Sequence, residues 1–161
     1  MKARTRLADM FPPSPPCSCE VCVGYCIRPG WWTVSEAKRA IEAGLGPRMM
    51  LELSPDRRSG VLSPAFKGNE GLYALDDHAR KGCGFLTPDR RCELFGTGLQ
   101  PLECRFCHHE RRGDGPKCHR ALEKDWNSHA GRALVERWAA ERGLPWPLPA
   151  AAASRQTDTS R

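Results

Sequence analysis

The chain has 161 residues, 40% of them hydrophobic and 7% aromatic, and a formal net charge of +6. That length suits one domain with a modest core. No run approaches the ~20 apolar residues of a membrane span, which argues against a membrane partner. The basic start MKARTRLADMFPPSPP lacks the apolar stretch of a secretory signal. A cytoplasmic protein with reduced thiols is the expectation.

Gly 15 and Pro 14 predict many turns, and Cys 9 offers something to hold them. Nine is odd, so a full disulfide framework would leave one thiol over, and clustered cysteines in a reducing compartment point to metal ligation. Half of the net charge falls on residues 1–16 and 143–161. Arg105, Arg111, Arg112, Lys117 and Arg120 interleave with Glu103, Glu110 and Asp114. This pattern reads as solvated charge, and a nucleic-acid partner is not expected.

In chain order, residues 1–16 read as a flexible arm ending in a stiff Pro-Pro-Ser-Pro-Pro spacer. A knot of four thiols follows at Cys17, Cys19, Cys22 and Cys26, in which Cys19-x-x-Cys22 can turn two thiolates toward one cation and Gly24 relieves the closing loop. Cys26 is the natural third ligand there, with Cys17 in reserve. Thr33 and Glu36 have capping-box spacing. Val34, Ala37, Ala40, Ile41 and Leu45 recur on one face, predicting a surface helix that Gly44 or Gly46 with Pro47 ends. Trp31 and Trp32 read as core or lid residues.

MMLEL at 49–53 reads as a short strand, SPDRRSG as a turn and LYALDDHARKG as a short helical turn. Asp76, Asp77 and His78 adjoin there, but acids at a helix start ordinarily serve the dipole.

The segment from Cys83 to Cys118 carries five thiols and the tandem His108-His109. Phe85-Leu86 and Glu93-Leu94-Phe95 flank Thr-Pro-Asp-Arg-Arg, predicting a hairpin with Cys83 and Cys92 near its outer ends. Cys104-x-x-Cys107 forms a second chelating loop, and Cys118 begins a helix that runs from about Pro116 to Trp126. Asn127 or Ser128 caps another helix to about Arg142, after which Pro145, Pro147 and Pro149 stop regular structure and the tail is expected to be disordered.

These residues resemble the bacterial cysteine-cluster family described as zinc- or iron-chelating and named for its CxxCxxCC motif. The likeness spans most of residues 17–126. Cys19-x-x-Cys22 with Gly24 and Cys26 falls on the motif, Cys83-Gly-Phe-Leu with Cys92-Glu-Leu-Phe resembles the cysteine-bearing hairpin, and Pro101-Leu-Glu-Cys104-Arg resembles the RPxxCR element. Tyr25 stands where the family carries the first cysteine of its CC pair, Gln100 stands where it carries arginine, and Cys17 is additional. The resemblance implies metal chelation.

The expected fold is α+β, small and loop-rich, with a few helices and a short hairpin stapled by cysteine-ligated metal in a domain spanning 17–142. The candidate ligands are Cys19, Cys22, Cys26, Cys83, Cys92, Cys104, Cys107 and Cys118, with Cys17 and His108 as further candidates. The two knots are expected to meet in space. Of the tandem histidines only one is expected to face inward, His108 being preferred. Zinc and iron, including an iron-sulfur cluster, both suit such thiols. Cys104-Arg-Phe-Cys107-His108 also matches the c-type haem pattern, which would need an export signal. The leading function is a structural or accessory metal-chelating module, with an unidentified protein as its partner. An iron-sulfur redox enzyme or electron-transfer protein is the alternative, and no nucleophile or acid/base pair stands out to support it.

Overall fold

The computed structural model describes residues 4–148, apart from the side chain of Asp76. The expected disordered tail lies mostly at 149–161, outside the described residues. Among the described residues the elements are seven α-helices, four shorter 3-10 or π turns and one two-stranded antiparallel sheet, an α+β arrangement.

The MMLEL run forms β1 (Met49–Leu53), paired with β2 (Gly60–Pro64) so that Met49 faces Pro64 and Leu51 faces Leu62. The Ser54–Ser59 turn closes this ladder through Ser54 N–H to the Ser59 carbonyl at 2.9 Å. The hairpin expected at 83–95 is reduced to one bridge between Leu86 and Cys92. Only two apolar residues lie on the N-terminal side of its Thr-Pro-Asp-Arg-Arg turn, too few for a ladder, and Arg90 takes φ 64.

Helix α3 (Val34–Ala40) starts as its sequence dictates. The Thr33 hydroxyl accepts from Glu36 N–H while the Glu36 carboxylate accepts from Thr33 N–H, a complete capping box. Asp125, on another helix, accepts from Val34 N–H at 2.8 Å and fixes the entry angle. Gly44, at φ 95, ends the helical run. Ala37 and Ala40 are buried and Ser35, Lys38 and Arg39 exposed, so the narrow apolar stripe turns inward.

Helices α6 (Gly115–Trp126) and α7 (His129–Glu141) meet at Ser128, whose hydroxyl caps α7 by accepting from Gly131 N–H. Both pack on β2, and α7 also packs on α3. Trp32, Trp126 and Trp138 fill the space between, and each indole finds a carbonyl: Leu99, Trp32 and Gly46 respectively.

A smaller apolar cluster of Leu102, Phe106, Cys118 and Leu122 joins α5 (Leu102–Phe106) to α6. The N-terminal arm lies along it. Leu7 of α1 (Leu7–Met10) and Phe11 pack on this cluster, the Phe11 and Phe106 rings meet edge-on at 5.3 Å, and Ser14 N–H donates to the Arg105 carbonyl. The arm thereby delivers Cys17 to the loop after α5. Short helices α2 (Glu20–Gly24) and α4 (Asp76–Ala79) complete the set.

Candidate metal centre

The first knot is held by local hydrogen bonding. Cys19 caps α2, its sulfur accepting from Cys22 N–H at 3.5 Å. Ninety residues away, His108 caps a single helical turn, His109–Arg111, its Nδ1 accepting from Glu110 N–H at 3.1 Å. His109 N–H in turn donates to the Cys22 sulfur at 3.4 Å, locking the two segments together.

Three sulfurs converge on one nitrogen. His109 Nδ1 lies 3.6 Å from Cys17 Sγ, 3.5 Å from Cys19 Sγ and 3.3 Å from Cys22 Sγ. The ligand atoms of Cys17, Cys22, His108 and His109 all fall within 4.8 Å of one another. Both imidazoles therefore join this outer group, against the expectation that only one would. His108 is extended, but His109 begins the helical turn, and the change of backbone sets the rings side by side with centroids 4.1 Å apart. His109 is the better placed. His108 Nδ1 is occupied by Glu110 N–H, whereas His109 turns its Nδ1 to the three sulfurs and its Nε2 toward the Glu110 carboxylate, 3.8 Å away. No spacing rule applied to the sequence singles out His109.

Cys26 does not join this outer group. It belongs with Cys83, Cys92 and Cys104 around a cavity of about 830 Å³ that Cys22 and Cys107 also border. Backbone pairing brings them in: Cys83 N–H donates to the Cys26 carbonyl, Cys83 bridges Phe66, and Cys92 bridges Leu86. Cys104 rides on α5 directly beneath Gly30, where a Cβ would come within 2.8 Å of both its nitrogen and its sulfur. Burial pushes the Cys83 thiol up to about 12 and Cys104 well above the ordinary thiol range, with the charges of the neighbouring cysteines adding to the rise. Cys26 and Cys92 are raised for the same first reason. Uncompensated by a cation, these thiols hold their protons.

Cys107 lies between the two groups, its thiol pushed up to about 11 by burial and then by the charges of Glu103 and Cys22. Cys118 packs completely buried among Leu102, Phe106 and Leu122, and neither group includes it. His78 Nδ1 pairs with Asn69 Oδ1 at 3.2 Å, remote from both groups in the hydrogen-bond pattern.

The outer group contrasts electrically with the inner one. Cys19 is exposed, and its thiol is lowered to about 7 by the Cys22 N–H and then by the Cys17 thiol. Cys22 is lifted to about 11, chiefly by burial, with its side-chain contacts to Cys19 and Cys17 adding to the rise and the His109 N–H opposing it. One ready thiolate beside an imidazole lone pair is a chelating start that further thiols complete by losing protons to a cation.

A polar wall that no motif announced closes the far side of the cavity. Trp31 Nε1–H donates to Glu52 Oε2 at 2.6 Å, Trp31 N–H donates to Glu103 Oε1 at 3.0 Å, and His119 Nδ1 meets Glu103 Oε2 at 2.8 Å. His119 lies over the Trp31 ring with centroids 4.1 Å apart. Among the described residues no helix is long and apolar enough to cross a membrane. No family model matches the chain, and no curated protein or solved structure matches it.

Proposed function

We propose that the chain is a metal-chelating module with two donor groups, an outer Cys/His group that takes zinc and an inner group of four thiols. The observation that carries this is the convergence of Cys17, Cys19 and Cys22 on His109 Nδ1. One nitrogen makes one hydrogen bond, so hydrogen bonding accounts for one of the three contacts. A tetrahedral zinc with Zn–S ~2.3 Å and Zn–N ~2.0 Å separates nitrogen and sulfur by about 3.5 Å. The three distances, 3.3 to 3.6 Å, match that separation.

Cys17, Cys22 and His109 would hold the ion, with Cys19 completing the set, because His108 would have to surrender the Glu110 N–H. Bound there, the cation neutralises the thiolates and ties the N-terminal arm, α2 and the loop after α5 into one unit. Folding and binding are then one equilibrium. The role is structural or accessory, and the resemblance to the CxxCxxCC family supports chelation.

A second reading concerns the inner group. Four thiols from three segments of chain around a cavity of about 830 Å³ suit an all-thiolate iron-sulfur cluster as well as a single ion. That reading makes the protein an electron carrier or redox enzyme. Cobalt substitution tests the leading proposal. Cobalt(II) added to the metal-free protein is expected to give the visible bands of a tetrahedral thiolate-imidazole site, and His109→Ala is expected to remove the imidazole contribution. The weak, pale pink absorption of octahedral cobalt, or an unchanged spectrum in His109→Ala, would refute it.

A further inference from the structure

Of the two carboxylates in the cavity wall, one has a directly bonded counter-ion, while the other feels that same His119 only at longer range. Glu103 is paired with His119, whose imidazolium that contact favours. Glu52 accepts from Trp31 Nε1–H at 2.6 Å and Ser63 Oγ–H at 3.2 Å, both neutral donors. Among the described residues no lysine, arginine or histidine makes an ion pair with it, and the arginines that border the cavity, Arg28 and Arg120, pair with neither carboxylate. Burial is the main cause that lifts Glu52 above the usual carboxylate range. A carboxylate so placed either keeps its proton or takes a cation.

Its position makes one reachable. Glu52, Trp31 and His119 border the cavity of about 830 Å³ on one side and a second cavity of about 210 Å³ on the other. The larger volume lies within the ~300–1,000 Å³ common for small-molecule sites, which combine apolar walls with a few convergent polar groups. The cavity's lining includes the apolar residues Ile27, Phe66, Phe85 and Leu86 beside the cysteines. Each Glu52 oxygen has one bound donor and a further lone pair free.

We infer that this cavity is a binding site for a small organic ammonium, a primary amine on an apolar stem, with Glu52 as its counter-ion and Trp31 holding that carboxylate in place. The ammonium supplies the charge and the donors that Glu52 lacks, and the stem covers the apolar wall. The inner thiols border this same cavity, so an amine and a metal on those thiols share one volume, and the titration is read on protein of measured metal content.

The Trp31 indole N–H reports on the site directly, because it hydrogen-bonds the recognising carboxylate. The full-length protein as purified, labelled with nitrogen-15, is titrated with n-butylamine at neutral pH, and 1-butanol serves as the neutral isostere. Butylamine is expected to shift the Trp31 indole resonance saturably while those of Trp126 and Trp138, bound to backbone carbonyls, stay fixed. Butanol is expected to bind at least about tenfold more weakly, and Glu52→Gln, which keeps an acceptor for Trp31, to weaken butylamine by about tenfold or more. Equal response to the alcohol, no saturable Trp31 shift with the amine, or an unchanged amine affinity in Glu52→Gln would each overturn the inference. Should the variant fold poorly, the comparison of amine with alcohol on the native chain decides alone. Metal content measured on the same sample separates this outcome from that of the chelation proposal.

Discussion

Glu36 ties the frame to the inner thiols, and replacing it with alanine is expected to be among the most damaging changes outside the cysteines. One carboxylate oxygen accepts from Thr33 N–H at 3.0 Å and Leu102 N–H at 3.2 Å, and the other from Arg105 Nη2 at 2.6 Å. The Glu36 side chain is 9% exposed and that of Arg105 25%. Glu36→Ala removes half of the capping box and strands the first amide of α5. It also leaves a guanidinium mostly out of water. Breaking a buried pair from one side costs ~3–5 kcal/mol. Arg105 can rehydrate in part, which sets the expectation near the lower end, about 3 kcal/mol. Glu36→Gln keeps an uncharged acceptor, and about half that loss is expected. Urea unfolding of each variant, with metal content held equal, reads the difference. A loss below about 1 kcal/mol for alanine, or equal losses for alanine and glutamine, would refute the reasoning.

Gly30 is not itself a ligand, yet the Cβ of Gly30→Ala would come within 2.8 Å of the Cys104 nitrogen and sulfur. It is expected to lower metal retention at the inner thiols while leaving the outer group's metal intact, measured by chelator competition. Alkaline pH is expected to destabilise the metal-free protein. Folding raises Cys83 from 9.0 to about 12, so the folded state keeps a proton that the unfolded state releases above pH 9. The associated stability is present below pH 9 and is lost between pH 9 and 12, roughly 4 kcal/mol for three units at 1.36 each. Melting temperatures across that range check it, and a flat profile would contradict it.

Local rules made much of the frame legible. Thr33 and Glu36, Gly44, Ser128 and the MMLEL run each acted through neighbours a few residues away, and each formed the expected feature. The hairpin was misplaced because the Pro88 turn signal outweighed the length of its flanks, while the longer β1 and β2 pair had the weaker turn. The cysteines were visible as ligand material but not their division. Cys22 and Cys26 are four residues apart in sequence, yet Cys22 lies against His109 and Cys26 beside Cys83, because the chain turns between them at Tyr25–Ile27 and Cys26 pairs by its carbonyl with Cys83. His109 and the wall of Trp31, Glu52, Glu103 and His119 were hidden for the same reason. Contacts spanning 16 to 90 residues leave no mark in local spacing.

The most direct test of the two-group account is elemental analysis of protein purified without oxygen, compared with His109→Ala and Cys104→Ser. The native chain is expected to carry metal in both groups. His109→Ala is expected to lose the outer metal and keep the inner, and Cys104→Ser to do the reverse. If both variants lose the same single metal, or if His109→Ala retains everything the native chain binds, the thiols do not form two centres.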